Sequence, residues 1–352
     1  MHISFFGSSL VSAYWNGAAT YYRGIVKGLA RRGHDVTFYE PDAYERQQHR
    51  DMEDPDWAEV VVYPAEEPQV CRALETAAAS DVVIKASGVG VFDEFLEREV
   101  LRLKSDRTKV IYWDVDAPAT LERIEADPSD PMRTNIPSYD LVLTYGGGPP
   151  VVQGFMELGA RQCVPIYNAL DPQTHHPCPP SERFAGDCSF LGNRLPDREQ
   201  RVEEFFLHPA ALLPAKRFLL GGNGWDDKPV PANVARLGHV YTRDHNVFNC
   251  SGLAVLNIHR ESMARYGYSP ATRVFEAAGA GACIISDDFV GAEQFLEPGN
   301  EILLARDGGE VAEHLERLTP EESKKIGNQA LKRVLSEHTY AHRAELLANL
   351  LR

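Results

Sequence analysis

The sequence predicts an α/β protein of two Rossmann-like, doubly wound domains, and three observations carry that prediction. Its 352 residues suit two domains at roughly 100 to 200 residues each. Short apolar runs alternate with stretches of helical periodicity almost from end to end, the signature of βα units joined into parallel sheets. A break carrying Pro165, Pro172, Pro177, Pro179 and Pro180 divides the rhythm into two similar halves. The expected divisions are 1–169, 170–338 and a terminal helical segment 339–352, with the two domains facing one cleft.

Taken in order, Ile3 to Phe6 reads as the first strand, closed by Gly7-Ser8-Ser9. Ala18, Tyr22, Ile25, Val26 and Leu29 share one helical face, and Gly33 is placed to stop that helix. Strands follow at 36–39, 82–84, 110–113, 141–144 and 164–167, separated by helical stretches near 69–79, 92–104 and 118–126. The second half restarts with strands at 188–192, 218–222, 253–257, 283–285 and 302–304. Apolar stripes then run from 320 to 351, with a break near His338-Thr339.

Composition removes several classes of function. Lysine plus arginine is 36 against 51 aspartate plus glutamate, a formal charge of −15, so duplex nucleic acid and anionic membrane surfaces are poor partners. No apolar stretch suits stable membrane insertion and no signal segment opens the chain, which predicts a cytoplasmic protein. Its six cysteines form no CxxC pair and read as reduced thiols.

Ligands of doubly wound sheets bind beyond the carboxyl ends of the strands, so the loops there hold the candidates. The sharpest segment runs from Tyr266 to Ala282. Ser269 reads as a helix N-cap with Pro270 at the first helical position, followed by Ala271 and Thr272. Such a helix start suits a diphosphate, and Arg273 and Glu276, three apart, put a cation and a hydroxyl acceptor on one face. A surface ion pair between the two is the plainer alternative. Gly192-Asn193-Arg194 follows a strand and reads as a phosphate loop or a capped turn. Gly222-Asn223, or His239 to Tyr241, could lie against a nucleobase, or be ordinary turns. His259 and Arg260 end the strand at 253–257, where the histidine is a substrate contact or a satisfied structural group.

In the first half, Gly7, Ser8, Trp15, Asn16 and Gly17 belong to a long loop directly after the first strand and before the first helix. It is not a GxGxxG, which weakens an oxidoreductase using Glu40 as its ribose acid. Strand alternation would put Asp114 and Asp116 on the same side. Asp116 then reads as a general base or orienting group with Asp114 in support, as one half of a metal-gripping DxD pair, or as the N-cap of the helix entered at Pro118.

The segment FEAAGAGACIISDDFVGAEQFLEPGNEILLARD at 275–307, with EHTYAHR at 337–343, resembles the donor domain of GT-B glycosyltransferases, and more narrowly the CgeB-like group related to family 4 (glycosyl transferases group 1). The resemblance implies a donor domain at 170–338, an acceptor-side domain at 1–169 and a last helix that crosses back to the first domain. It implies that Glu276 binds the ribose of a nucleotide sugar and that Gly192-Asn193-Arg194 faces phosphate. Tyr268 stands where the family has a second, sugar-contacting acid, so the sugar contacts depart from the pattern. The implied function is transfer of a sugar from a nucleoside-diphosphate sugar, UDP- or dTDP-linked, to an acceptor hydroxyl or other nucleophile. The donor is a co-substrate; no cofactor and no metal are expected. A nucleotide-sugar epimerase or hydrolase on the same fold, and a catalytically silent nucleotide-sugar-binding protein, are the alternatives.

Overall fold

The computed structural model describes every residue of the chain except Trp15, so that part of the first long loop lies outside the described residues. The chain divides into two compact units. Unit 1 is Met1–Tyr167 together with Tyr340–Arg352, and unit 2 is Asn168–Thr339.

Unit 1 is built on strands β1 (His2–Phe6), β2 (Asp35–Asp42), β3 (Glu59–Pro64), β4 (Val82–Ala86), β5 (Lys109–Asp114), β6 (Leu141–Thr144) and β7 (Cys163–Pro165). They pair in parallel in the order β3-β2-β1-β4-β5-β6-β7. Helices cover both faces, which is why the central strands read as unbroken apolar runs rather than alternating ones. The strand β3 is an addition to the sequence reading. It is an edge strand whose Val62 is exposed, with Pro64 where no inner ladder bond is needed, although its run Val60-Val61-Val62-Tyr63 has the β-branched and aromatic composition of a strand.

Aromatic rings fill the core of unit 1. Phe5 stacks on Phe38 at 5.1 Å and meets Tyr22 edge-on at 5.3 Å. The indole N–H of buried Trp113 donates to the Tyr21 hydroxyl at 3.1 Å, which in turn donates to the carbonyl of Ile166.

The final helix, Tyr340–Leu351, packs on the first, Ala19–Ala30, within unit 1. Glycines permit the approach: a Cβ on Gly24 would lie 2.3 Å from the Tyr340 ring, and one on Gly28 2.6 Å from Cβ of Ala344. Arg343 donates to the carbonyl of Tyr167 at 3.2 Å, Lys109 to that of Leu351 at 2.9 Å, and Arg32 pairs with Glu345 at 2.8 Å. The helix is therefore a component of unit 1, as its stripe of Leu347 and Leu351 required.

Unit 2 contains β8 (Gly186–Leu191), β9 (Phe218–Gly221), β10 (Val234–Gly238), β11 (Gly252–Asn257), β12 (Ile284–Asp287) and β13 (Leu303–Ala305), in the parallel order β10-β9-β8-β11-β12-β13. The edge strand β10 also escaped the sequence reading, because Pro229 and Pro231 precede its short run, Arg236 interrupts it and Gly238 ends it. Both sheets reverse direction of growth beside their first strand. In unit 2 that switch point lies between β8 and β11, so the loops after these two strands border the crevice where such sheets bind ligands. Among the described residues, no helix is long and apolar enough to cross a membrane.

Candidate functional site

The loop after β8 is locked to the loop after β9. The amide of Arg194 donates to the Asn223 carbonyl and the amide of Asn223 to the Asn193 side chain, both at 2.9 Å, while Trp225 donates its indole N–H to Gly192 at 2.7 Å. Gly222, at φ +115°, has room only because it lacks a Cβ, which would stand 2.2 Å from the Gly192 carbonyl oxygen. These contacts set Gly192, Asn193, Gly222 and Asn223 as one rigid lip.

Arg194 does not fit the expected phosphate fork. Its Nε and Nη2 engage Glu199 at 2.8 and 2.7 Å and its Nη1 reaches Asp227 at 2.9 Å. The guanidinium holds the Glu199 carboxyl down to about 2. Arginine meets carboxylates through the same planar geometry it offers phosphate, so a nearby Glu five residues on claims it first.

Two other arginines carry the unneutralised charge of this edge. Arg273 lies over one part of Phe190 at 5.3 Å from the ring centre and Arg198 over it at 5.6 Å. Among the described residues neither forms an ion pair; Arg198 donates one Nη2 bond to the Asn193 carbonyl at 2.7 Å and leaves a buried Nε without partner. Burial depresses the proton affinity of both, and for Arg273 the neighbouring Arg198 adds to it. Paired cations in a half-buried setting are costly unless an anion joins them. Arg198 was missed in the sequence because an arginine inside PDREQRV reads as a solvated helix face.

The helix bearing Arg273 and Glu276 spans Thr272–Gly279, two residues later than Ser269 and Pro270 predicted, and its N-cap is Ala271. The reason is local: Tyr268 sits at φ +48° with its amide donating to the Val290 carbonyl at 2.7 Å, and its ring lies where a Cβ of Gly291 would be, 2.1 Å away. That docking keeps Ser269 and Pro270 in the loop, both buried, and Ala271 cannot cap with a side chain, so no side chain takes the place of a bound anion there. Strain in a non-glycine residue at positive φ is sustained only when the surroundings enforce it. Arg273 and Glu276 make no ion pair with each other. Half-buried Glu276 instead has His175 Nε2 at 3.8 Å, with His245 close by. Tyr241 is 57% exposed beside His239 and beneath Arg243, an open aromatic face.

His259 is buried, at 1% exposure, and pinned: Nδ1 lies 2.7 Å from Asp287 Oδ1, its amide also donates to Asp287, and Phe289 covers the ring at 4.4 Å. Arg201 completes the group on Asp287 Oδ2 at 2.5 Å, and the contacts from His259 and Arg201 hold the Asp287 carboxyl below its ordinary value against the effect of burial. Only Nε2 of His259 lacks a partner. Arg260 is paired with Asp197.

In unit 1 the long first loop is tied down by its own side chains. Ser8 donates to Asn16 at 2.8 Å, and Asn16 donates to the carbonyls of Ser9 and Ser12 at 2.8 and 3.0 Å. Gly7 lies against Phe38, where a Cβ would clash at 2.5 Å, and Gly17 is open. Glu40 is fully buried and accepts from Ser9, the Leu10 amide and Gln47, so it anchors this loop and is no ribose acid. Arg46 bridges the carbonyls of Ser8 and Val89 at 3.0 and 3.2 Å.

Asp114 and Asp116 do not share a side. The strand ends at Asp114, so alternation does not continue to Asp116. Asp114 is buried, accepting from Ser87 Oγ and the Asp116 amide at 2.9 Å each, and burial raises its pKa. Asp116 occupies the N-cap of helix Ala117–Ala126 without the capping side-chain bond, and its carboxylate is exposed. A shared metal grip is therefore not formed by this pair. The loop after β4, Ser87 to Gly90, was not singled out in the sequence. It is held by Asp93, which accepts from the amides of Val89 and Gly90 at 3.1 and 2.7 Å and pairs at 2.5 Å with Lys85, a fully buried cation that Glu97 also faces at 3.4 Å.

Residues 198–349 match the glycosyl transferase-like family. The match is to that family as a whole and does not single out the CgeB-like group. No curated protein matches the chain in sequence. Among solved structures, sucrose-phosphate synthase from Thermosynechococcus elongatus is similar over 99% of this chain and 98% of that one, at 12% identity and a TM-score of 0.72. HepE from Anabaena, solved in complex with UDP-glucose, covers 100% and 99% at 16% identity and 0.67. AviGT4, a glycosyltransferase of avilamycin A biosynthesis, covers 100% and 97% at 16% identity and 0.63.

Proposed function

We propose that this chain, a glycosyltransferase of the GT-B fold, takes its sugar from a UDP- or dTDP-linked donor held by unit 2 and passes it to a hydroxyl or other nucleophile without a metal ion. The observation that carries the reading is the pair Arg198 and Arg273 on Phe190, two cations without an acid partner at the carboxyl end of β8, beside a helix start without a side-chain cap. A diphosphate supplies the charge that this arrangement lacks.

One turn into the same helix, Glu276 accepts from the vicinal ribose hydroxyls. The base lies on the lip of Gly222 and Asn223, with Tyr241 as its open face. Tyr268, Ser269 and His259 border the sugar, and the amides from Ala271 to Arg273, with Gly192 and Asn193, line the diphosphate. As the bond from the anomeric carbon to the diphosphate oxygen breaks, negative charge grows on the leaving group, and fixed donors aimed there stabilise that charge more than the ground state. The arginines do this without a metal. In unit 1, Gly7, Ser8, Asn16 and Gly17 form the acceptor side, and exposed Asp116 receives the proton of the attacking hydroxyl in an inverting course, with Asp114 holding the Asp116 amide. The acceptor is a small molecule, a glycan or a protein, since a charge of −15 disfavours nucleic acid. Six unpaired cysteines suit the cytoplasm.

Thermal-shift screening with UDP-, dTDP- and GDP-sugars, followed by product analysis with and without acceptors, tests the reading. A midpoint rise with one nucleotide class and sugar transfer that survives EDTA are expected. Release of free sugar at the same rate without any acceptor would favour the hydrolase instead.

A further inference from the structure

Beside the assigned ribose acid lies a group of side chains that the transfer reaction does not use. His175 comes from the proline-rich segment and His245 opens the helix His245–Ser251. With Glu276 they place one ligating atom each within 4.8 Å of one another. The two histidines are fixed relative to each other, because Asn246 donates to the Thr174 carbonyl at 2.9 Å and accepts from the His176 amide at 3.3 Å, stapling the segment to the helix. Each ring is also oriented from behind. His245 uses Nε2 on the Val240 carbonyl at 3.3 Å, which leaves Nδ1 as its lone pair, and His175 engages Thr174 Oγ1 through Nδ1 at 3.0 Å, which leaves Nε2 toward Glu276. A backing hydrogen bond of this kind accompanies metal-ligating histidines and sets which nitrogen binds.

The spacing argues for an atom between these groups rather than a bond among them. His175 Nε2 and Glu276 Oε1 stand 3.8 Å apart, too far for a hydrogen bond. Two ligands at about 2.05 Å from a tetrahedral zinc ion lie about 3.3 Å from each other, so this pair closes on such an ion with a shift of about half an ångström. The remaining pairs lie within 4.8 Å, and side-chain rotation of Glu276 and the imidazoles has to close them as well.

We propose that His175, His245 and Glu276 form a binding site for a divalent cation of the zinc type, and that a cation held there removes Glu276 from the donor ribose. Two imidazoles and one carboxylate select zinc, cobalt or nickel over magnesium, which demands oxygen ligands. The site is thus an inhibitory one, separate from the charge stabilisation at the diphosphate. Its competition with the donor rests on the reading of Glu276 given above; its binding of the ion does not.

Titration of the nucleotide-free chain with Zn²⁺, Co²⁺ and Mg²⁺ by calorimetry tests the binding, with the visible spectrum of the Co²⁺ form reporting four-coordinate nitrogen and oxygen ligation. One Zn²⁺ per chain is expected, no Mg²⁺, and a loss of at least tenfold in affinity in each of His175→Ala, His245→Ala and Glu276→Gln, with thermal midpoints checking that each variant is folded. Absence of a stoichiometric Zn²⁺ site, or an affinity unchanged in all three variants, overturns the proposal. Saturating UDP should then weaken Zn²⁺ binding, and Zn²⁺ should weaken UDP binding by the same factor. If UDP affinity in EDTA falls on Glu276→Ala while Zn²⁺ and UDP bind independently, the inhibitory site is refuted and the ribose reading stands. If Zn²⁺ binds as expected but UDP affinity in EDTA ignores Glu276→Ala, the ribose reading fails, and the inhibitory role fails with it.

Discussion

The carboxyl edges of the two sheets share a strand order and differ in the sign of the charge they leave available. In unit 1 the loops after β1, β4 and β5 are each organised by a carboxylate, buried Glu40, half-buried Asp93 and buried Asp114, that gathers amide and hydroxyl donors of its own chain. In unit 2 the loop after β8 and the helix at Thr272 are organised around arginines, two of them with no acid to meet. A doubly wound sheet offers the same crevice in both cases; the charge decides which ligand can enter. The first edge already satisfies its acids with donors and cations of its own, whereas an anion completes the second. The same contrast is why a −15 chain can still bind a phosphate: the sum over the molecule says little about one edge.

The contrast can be broken most sharply at Asp116, the exposed acid in the loop after β5. Asp116→Asn should lower transfer by roughly 10² to 10⁴ while UDP affinity stays within a factor of two, because a base in unit 1 acts on the acceptor alone. Steady-state rates beside calorimetric affinity check this, and near-normal transfer returns Asp116 to the role of a helix terminus. Next comes the frame of that edge. Lys85→Ala leaves Asp93 and Glu97 facing each other without their cation and should lower stability by about 3 to 5 kcal/mol in chemical denaturation. A loss below about 1 kcal/mol would mean the loop after β4 is held some other way.

In unit 2, Glu276→Ala should weaken UDP binding by about 1.5 to 3 kcal/mol, the scale of hydrogen bonds to a charged group. Arg198→Ala should weaken it too, with a shallower salt dependence, whereas Arg194→Ala should leave nucleotide affinity within a factor of two and cost little stability, since Asp227 is exposed and Arg194 and Glu199 are both open to solvent screening. Calorimetry at two ionic strengths separates the arginines, and a larger loss from Arg194 than from Arg198 would reverse their roles.

The smallest effect is a difference in pH dependence between one acid of each unit. The Asp287 carboxyl is held below its ordinary value, so its stabilisation is complete above about pH 3.9 and is lost as pH falls through the folded value. The Asp114 carboxyl is raised, so its ionisation opposes folding, a penalty absent below about pH 3.9 that grows until pH reaches the folded value and is constant above it. Asp287→Asn should therefore lose more thermal stability at pH 7 than at pH 3, and Asp114→Asn should gain on the wild type as pH rises. Parallel midpoint curves for the two variants would show that neither shift matters to folding.

Much of this was legible in the sequence, and the pattern of misses has physical causes. Inner strands announced themselves because a parallel sheet buried on both faces demands apolar runs, while β10, at an edge, carries no such demand; β3, the other edge, was legible in its run Val60 to Tyr63. The break at His338-Thr339 and the need of the last helix for a surface were readable from its leucines. The start of the helix at Thr272 was not, because Ser269-Pro270 is a strong local signal that a distant contact, Tyr268 on Gly291, overrides. Lys85 sits in VVIKA, where a lysine at the strand end suggests solvent; its burial depends on two acids eight and twelve residues later. Arg194 and Arg198 were indistinguishable by composition, and only the placement of Glu199 and Asp227 assigns one to protein and leaves the other open.

The helix Tyr340–Leu351 also imposes an order on synthesis. Every strand of unit 1 has left the ribosome by Pro165, yet the surface formed by Tyr21, Gly24 and Gly28 has no cover until more than 170 further residues are made. Unit 2, contiguous from Asn168 to Thr339, needs nothing from beyond its own end. Of the two units, the one translated earlier is thus the one that finishes folding later, which inverts the usual N-terminal-first order of multidomain chains and leaves an apolar groove waiting on the nascent protein for the length of one whole domain.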